Sequence, residues 1–293
     1  MRRALALTMM GTAAAAYAVL TPLVKVATER GVSVVWLTIF QYPIAILIFL
    51  PMSFSRPQNP PSTRDWLVMG WVGTAAGATA LAYYQALRHL PASLTIIFLF
   101  QFTWMLPVMV WVFERRTPKM TQWIAILAIL LGTLLAAHPW GPRRISLVGI
   151  GLGLVAGLGY ALTLYGQSRA LPSVNIWQRS LFSTVVAAVV VVLVYRPWHT
   201  SGISLAAPAL VYGTLAGIVG SALPMILTYM SAPLLGGVMT AILAALELPV
   251  AIFLSHIVLR ESVSETTWLG VIIMLLAVAL SARSDSLSSP GVD

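Results

Sequence analysis

What limits this chain most is the spacing of its apolar runs. Stretch after stretch reaches the roughly 20 mainly apolar residues that a helix needs to cross a bilayer, and only short gaps separate them. Ten spans are expected, near 4–27, 33–54, 65–87, 92–113 and 120–138, then 145–170, 174–195, 206–231, 235–258 and 265–282. The gaps carry helix breakers, as in SRPQNPPST (Ser55–Thr63), HPWGPRR (His138–Arg144) and RPWHTSG (Arg196–Gly202). Backbone polar groups in lipid must bond within their own segment, so the runs read as helices. Only 9% of the residues are charged, against about 25% in soluble domains, and no gap is long enough to hold a soluble domain. The fold class is therefore an all-α integral membrane protein. The basic start MRRALALTMM resembles a signal peptide, but the apolar run continues past Leu20 to about Val26 without a polar mature start. It is expected to remain as the first helix.

Five spans fall in each half. An odd repeat placed twice in tandem enters the membrane from opposite sides, which predicts two inverted five-helix repeats, a design that secondary transporters use. The halves are placed at 1–140 and 141–284, with a polar, disordered tail at 285–293. Pro91 and Pro107 are as far apart as Pro233 and Pro249, and this pairing is offset by 142 residues (249 − 107). TQWI (Thr121–Ile124) resembles TTWL (Thr266–Leu269) at an offset of 145 (266 − 121). Cytoplasmic termini place Arg2, Arg3, Arg56, Arg64, Arg115, Arg116 and Lys119 inside and Lys25, Arg30 and Arg88 outside in the first half. That asymmetry obeys the positive-inside rule; the second half is indifferent.

Several function classes drop out. The chain has no cysteine, and no HExxH, P-loop, GxGxxG or GxSxG motif. His89, His138, His199 and His256 are far apart in sequence. Paired carboxylates, a Ser/Lys dyad and a metal set are not evident, so neither an enzyme nor a metal or cofactor site is expected. The net charge of +9 comes from bases set one to three at a time at span ends. That placement reflects topology, and no nucleic-acid partner is expected. The partners expected are the lipid bilayer and a small-molecule substrate, for a monomer.

The candidate site starts from Pro233–Glu261, an apolar stretch with Glu247 near its middle and Pro249 two residues on. A carboxylate at that depth costs about 2.5–3.5 kcal/mol and so calls for a cavity, a partner or a ligand. Proton coupling, an amine-binding anchor and a structural carboxylate bonded to neighbouring helices all remain open for it. Gln41, Gln85, Gln101 and Gln167 must pair inside spans, either with other helices or with substrate. Trp66, Trp71, Trp123, Trp140, Trp198 and Trp268 fit interfacial belts. Tyr84, Trp104, Tyr160 and Tyr165 lie deeper, where aromatic walls suit planar or cationic molecules, although core filling is the commoner role of any one ring. Tyr17, Tyr42, Tyr83 and Phe102 belong to the same aromatic set. Gln101 and Trp104, spaced i, i+3, share a face. Gly73 and Gly77, then Gly149, Gly153 and Gly157, then Gly213 and Gly217 recur every four residues and predict tight helix seams. Pro22, Pro43, Pro107, Pro224 and Pro249 lie inside spans and predict kinks.

ELPV (Glu247–Val250), a helix ending in VLRES (Val258–Ser262) and a short apolar last helix together resemble the EamA-type members of the drug/metabolite transporter superfamily. That family's pattern reads LEPV, an apolar run, then GE. Here Leu248 stands between the Glu and the Pro, and Arg260 replaces the Gly. In the first half, FQFTWMLPV (Phe100–Val108) and ERRTP (Glu114–Pro118) stand at the matching places. The resemblance implies a secondary transporter of the bacterial inner membrane, usually an exporter of amino acids, related metabolites or drugs, with its cavity between the halves. Similarity to aromatic amino acid exporters puts Tyr84, Phe102, Trp104 and Tyr160 around that cavity. The expected walls are Tyr84, Gln85, Gln101, Phe102, Trp104, Tyr160 and Tyr165, with Glu247 as charged anchor or coupling group. The expected function is alternating-access export of small organic metabolites, amino acids including aromatic ones first among them. Broad export of cationic drugs and a non-transporting membrane scaffold are the alternatives.

Overall fold

A computed structural model describes residues 2–54, 60–137, 146–169, 171, 174–196, 207–260 and 262–287. The connections at 55–59, 138–145 and 197–206, with Trp140 and Trp198, and the tail at 288–293 lie outside those residues. All regular structure among the described residues is helical. In chain order the helices are α1 (Arg2–Glu29), α2 (Val34–Ser53), α3 (Thr63–His89), α4 (Ala92–Leu99), α5 (Phe102–Glu114) and α6 (Met120–Ala137). They continue with α7 (Leu147–Ser168), α8 (Ile176–Tyr195), α9 (Ala207–Gly217), α10 (Leu223–Ala244), α11 (Glu247–Leu259) and α12 (Glu265–Leu287). A π-helical segment, Ile218–Ala222, joins α9 to α10.

Among the described residues, eight helical segments are long and apolar enough to cross a membrane, including Leu94–Glu114 and the 37-residue Pro208–Ala244. At about 1.5 Å per residue, the latter far exceeds a hydrocarbon core of about 30 Å. It is interrupted at Gly236, whose φ of 76° and ψ of 161° are not helical. The polar-bearing α3 and the shorter α11 fall outside the eight. α3 starts on a capping box in which Ser62 and Asp65 each accept the other's backbone N–H. α12 runs to Leu287, five residues beyond the expected span.

The helix limits reveal a register that the prolines obscure. α4 has 8 residues and α5 has 13, joined at Phe100 and Gln101 by i→i+3 bonds. Residues 237–244, Ala245 and Leu246, and the 13 residues of α11 repeat that plan. α5 ends on Arg115 at φ 56° and α11 on Arg260 at φ 53°, 145 residues apart (260 − 115). α6 and α12 begin with the same offset (265 − 120), as do α1 and α7 (147 − 2). The proline match at 142 is thus three residues out of structural register. Pro249 is the third residue of α11, within the first turn, where its missing N–H has no intrahelical role. Pro107 is the sixth residue of α5. Pro107 thus removes an interior bond, to the Thr103 carbonyl, that Pro249 does not, and the two prolines do not mark equivalent positions. The counterpart of Glu247 is accordingly Phe102 (247 − 145), the first residue of α5.

Neighbour relations follow the same register. α3 packs along α7 as α10 packs along α1, while α2 meets α8 and α6 meets α12. The glycine runs lie in further seams, between α3 and α8, α4 and α7, and α2 and α9. A Cβ on Gly77 would sit 3.0 Å from the Ala187 carbonyl of α8, one on Gly157 would sit 2.8 Å from the Phe98 carbonyl of α4, and one on Gly217 would sit 2.5 Å from Ile44 Cβ of α2. Gly132 and Gly270 cross backbone to backbone between α6 and α12. The principal core joins α5, α6, α7, α10 and α12 through fully buried side chains such as Phe102, Leu106, Ile126, Leu164, Ile242 and Met274.

Candidate functional site

α11 begins at Glu247 because the chain leaves α10 through one tightened turn and re-enters the helix there. Its carboxylate Oε2 accepts the Tyr160 hydroxyl of α7 at 3.3 Å. The Tyr160 ring in turn meets the Phe102 ring edge-on, with centroids 4.6 Å apart. The two first residues of α5 and α11, equivalent by register, therefore converge on one tyrosine. They differ in chemistry: Phe102 is fully buried and braces the ring, whereas Glu247 keeps accessible surface.

Further tyrosines gather around this point. Tyr17 of α1 and Tyr83 of α3 are within electrostatic reach of Glu247, and Tyr17 also reaches Tyr160 and Tyr229. Tyr84 packs edge-on against Tyr83 at 5.9 Å and bonds Thr38 of α2. Tyr42 of α2 couples to both Tyr17 and Tyr84. Tyr17, Tyr83, Tyr84, Tyr160 and Glu247 each retain accessible area, whereas Tyr42 is buried. The group draws on α1, α2, α3, α7 and α11.

The other expected wall residues lie elsewhere or are already engaged. Gln101 donates to the Ile97 carbonyl at 3.0 Å and accepts the Trp104 indole N–H at 2.7 Å, so the pair satisfies itself along one helix. Trp104 is 36% exposed. Gln85 is half-buried beside Tyr84. Tyr165 belongs to a separate cleft of about 420 Å³, lined by Trp71, Met109, Phe113, Leu162 and Arg169. Trp71, expected in an interfacial belt, lines this cleft. There Arg169 pairs with Glu114 at 2.8 Å, tying α7 to α5, and its guanidinium lies 5.6 Å from the Tyr165 ring centre.

A third set closes off Tyr229. Arg179, buried in the first turn of α8, lies over the Tyr229 ring at 4.5 Å and donates to the Arg169 carbonyl at 2.8 Å. Ser183 is 2.9 Å from the Tyr229 hydroxyl and donates to the Met69 carbonyl at 3.1 Å. Sequence reasoning had noted Tyr17, Tyr42 and Tyr83 as aromatics without choosing them as walls, and it assigned nothing to Arg179 or Tyr229. The available signal was a tyrosine hydroxyl in mid-span, which needs a partner or a cavity in lipid. Among the described residues, no three His, Asp or Glu side chains group as a metal would require.

The site can accept hydrogen bonds and positive charge at the carboxylate, and it can offer neutral donors and π faces around it. Comparisons with known proteins agree with the two-part plan. The model of the EamA-like transporter family matches residues 4–137 and again 147–283. An uncharacterized transporter of Synechocystis sp. is 22% identical over 231 residues, covering 77% of this chain and 68% of that protein. A crystal structure whose description states no function superposes with a TM-score of 0.77 at 14% identity, covering 98% of this chain and 100% of the other; it supports the fold alone.

Proposed function

Because this chain belongs to the EamA-like transporter family, we propose that it moves a small organic metabolite across the bacterial inner membrane by alternating access around the Glu247 chamber. The observation that carries the reading is a carboxylate in an apolar helical segment that accepts the Tyr160 hydroxyl and has Tyr17 and Tyr83 within electrostatic reach. Ionisable groups in membrane spans are functional by default, because their cost demands a role. The membership itself makes the chain a multi-pass membrane transporter and not an enzyme.

The finer picture has ten crossings in two inverted halves, 1–140 and 141–284, with both termini cytoplasmic. α4 with α5 and residues 237–244 with α11 each form one crossing. The 145-residue register of α4, α5 and α6 against residues 237–244, α11 and α12, and the exchanged neighbours of α1, α3, α7 and α10, support this plan. Rocking of one half against the other about Tyr160 exposes the chamber to either side. Export of amino acids, aromatic ones included, is the direction and solute class expected from the sequence, and the tyrosine walls suit a ring-bearing solute.

Proteoliposomes holding the purified protein test the reading, with labelled Phe, Trp, Met and Thr and a cationic dye as solutes. Flux above empty vesicles is expected for at least one solute and is expected to fall in the Glu247→Gln variant. A panel with no flux at all favours a membrane scaffold.

A further inference from the structure

We infer that the transported solute is an aromatic amine or comparable organic cation that lacks a carboxylate; this rests on the chamber reading above and names its substrate class. Among the described residues, the group around Glu247 holds one carboxyl group and no basic side chain. Glu247 accepts a single hydrogen bond, from Tyr160 at 3.3 Å, and among the described residues no basic side chain pairs with it. Its titratable neighbours are Tyr17, Tyr83 and Tyr160.

Arg179 sits behind the nearly buried Tyr229 ring and donates to the Arg169 carbonyl. Arg169 is paired with Glu114. The amide of Gln101, the other donor near the α4–α5 junction, is used within its own helix.

An ammonium group entering this chamber finds a carboxylate, hydroxyl oxygens and ring faces. An amino acid brings the same ammonium but also a carboxylate, which loses its water and meets only neutral hydroxyls and a like charge. Like-charge juxtaposition and an uncompensated buried charge both select against it. Removing the carboxylate from the solute therefore improves recognition without changing the ring.

The test uses solutes that differ in this group alone. Equilibrium binding to the full-length protein in detergent, and counterflow in proteoliposomes, are measured for tryptamine against tryptophan and for phenethylamine against phenylalanine. Tryptophan methyl ester, which keeps the amino acid skeleton but hides the charge, joins the set. The amines and the ester are expected to bind on the order of a hundredfold more tightly than the amino acids, the scale of one buried polar group left unsatisfied. Glu247→Gln is expected to abolish that preference. If this variant does not fold, the wild-type pairs decide the matter alone. Amino acids that equal or beat their amines overturn the inference while leaving the transport reading intact, as does a preference unchanged by Glu247→Gln. Absence of binding and flux for every solute overturns both.

Discussion

Replacing Gly157 by alanine tests the packing that holds the site together. Gly157 is buried on α7, and a Cβ there would lie 2.8 Å from the Phe98 carbonyl and 2.9 Å from the Leu99 carbonyl of α4. Both obstacles are backbone, so no rotamer change relieves them; α4 itself must move by a few tenths of an ångström. Overpacking of this kind costs about 1–3 kcal/mol. Against it stands the helix gain of alanine over glycine, about 0.5–1 kcal/mol. Gly151→Ala, one and a half turns earlier on the same helix, separates the two terms. Gly151 is exposed, and its Cβ would meet nothing within 4 Å. That variant receives the helix gain without the clash, so the difference between the two isolates the seam. A gap of about 1–3 kcal/mol is expected, read as a difference in unfolding free energy from denaturant titration in one detergent. The effect reaches the site because α4 leads into Phe102, which braces Tyr160, which bonds Glu247. If the two variants agree within about 0.5 kcal/mol, the additivity limit for independent sites, the α4–α7 seam is not tight and the reasoning fails.

Other perturbations follow from the backbone and from exposure. Arg260→Gly relieves a left-handed residue at φ 53° and is expected to raise stability by about 1 kcal/mol, seen as a higher melting temperature; a lower one means that the arginine side chain contributes more than its backbone costs. Gly236→Ala meets no neighbour within 4 Å, yet its φ of 76° and ψ of 161° are glycine territory, so a loss of about 1–3 kcal/mol is expected; an unchanged melting curve refutes this. Glu114→Gln breaks the ion pair with Arg169, whose side chain is 39% exposed, so solvent screening limits the stability loss to under about 1 kcal/mol; a larger loss that persists in high salt places the pair in a drier setting than its exposure indicates.

How much was legible without coordinates differs from residue to residue. The helical membrane class was, because apolar runs of bilayer length admit no other packing of backbone polar groups. So were the glycine seams, since the four-residue recurrence of Gly149, Gly153 and Gly157 is itself a helix face. The repeat was legible only in part. TQWI and TTWL carried the offset of 145, whereas the more conspicuous prolines carried 142, and a proline in a first turn is too freely placed to report register. Glu247 was found through its cost in lipid. Its companions were harder: Trp104 lies as deep along its span as Tyr160, but depth says nothing of the direction in which a ring points, and Tyr165 lies three residues from the end of α7.

Sequence alone therefore determined the solvent in which this protein folds, the helices it forms there and the one acidic group that lipid cannot tolerate without reason. Those are properties of segments, settled by transfer free energy over a local window. Only the tertiary structure decided that Phe102 and Glu247 meet on Tyr160, that Tyr17, Tyr42 and Tyr83 gather around them, and that Arg169 and Arg179 have partners of their own. Such facts depend on which helix faces which, and between helices of equally apolar surface that choice is made by close packing at glycines and by the pairing of a few polar groups.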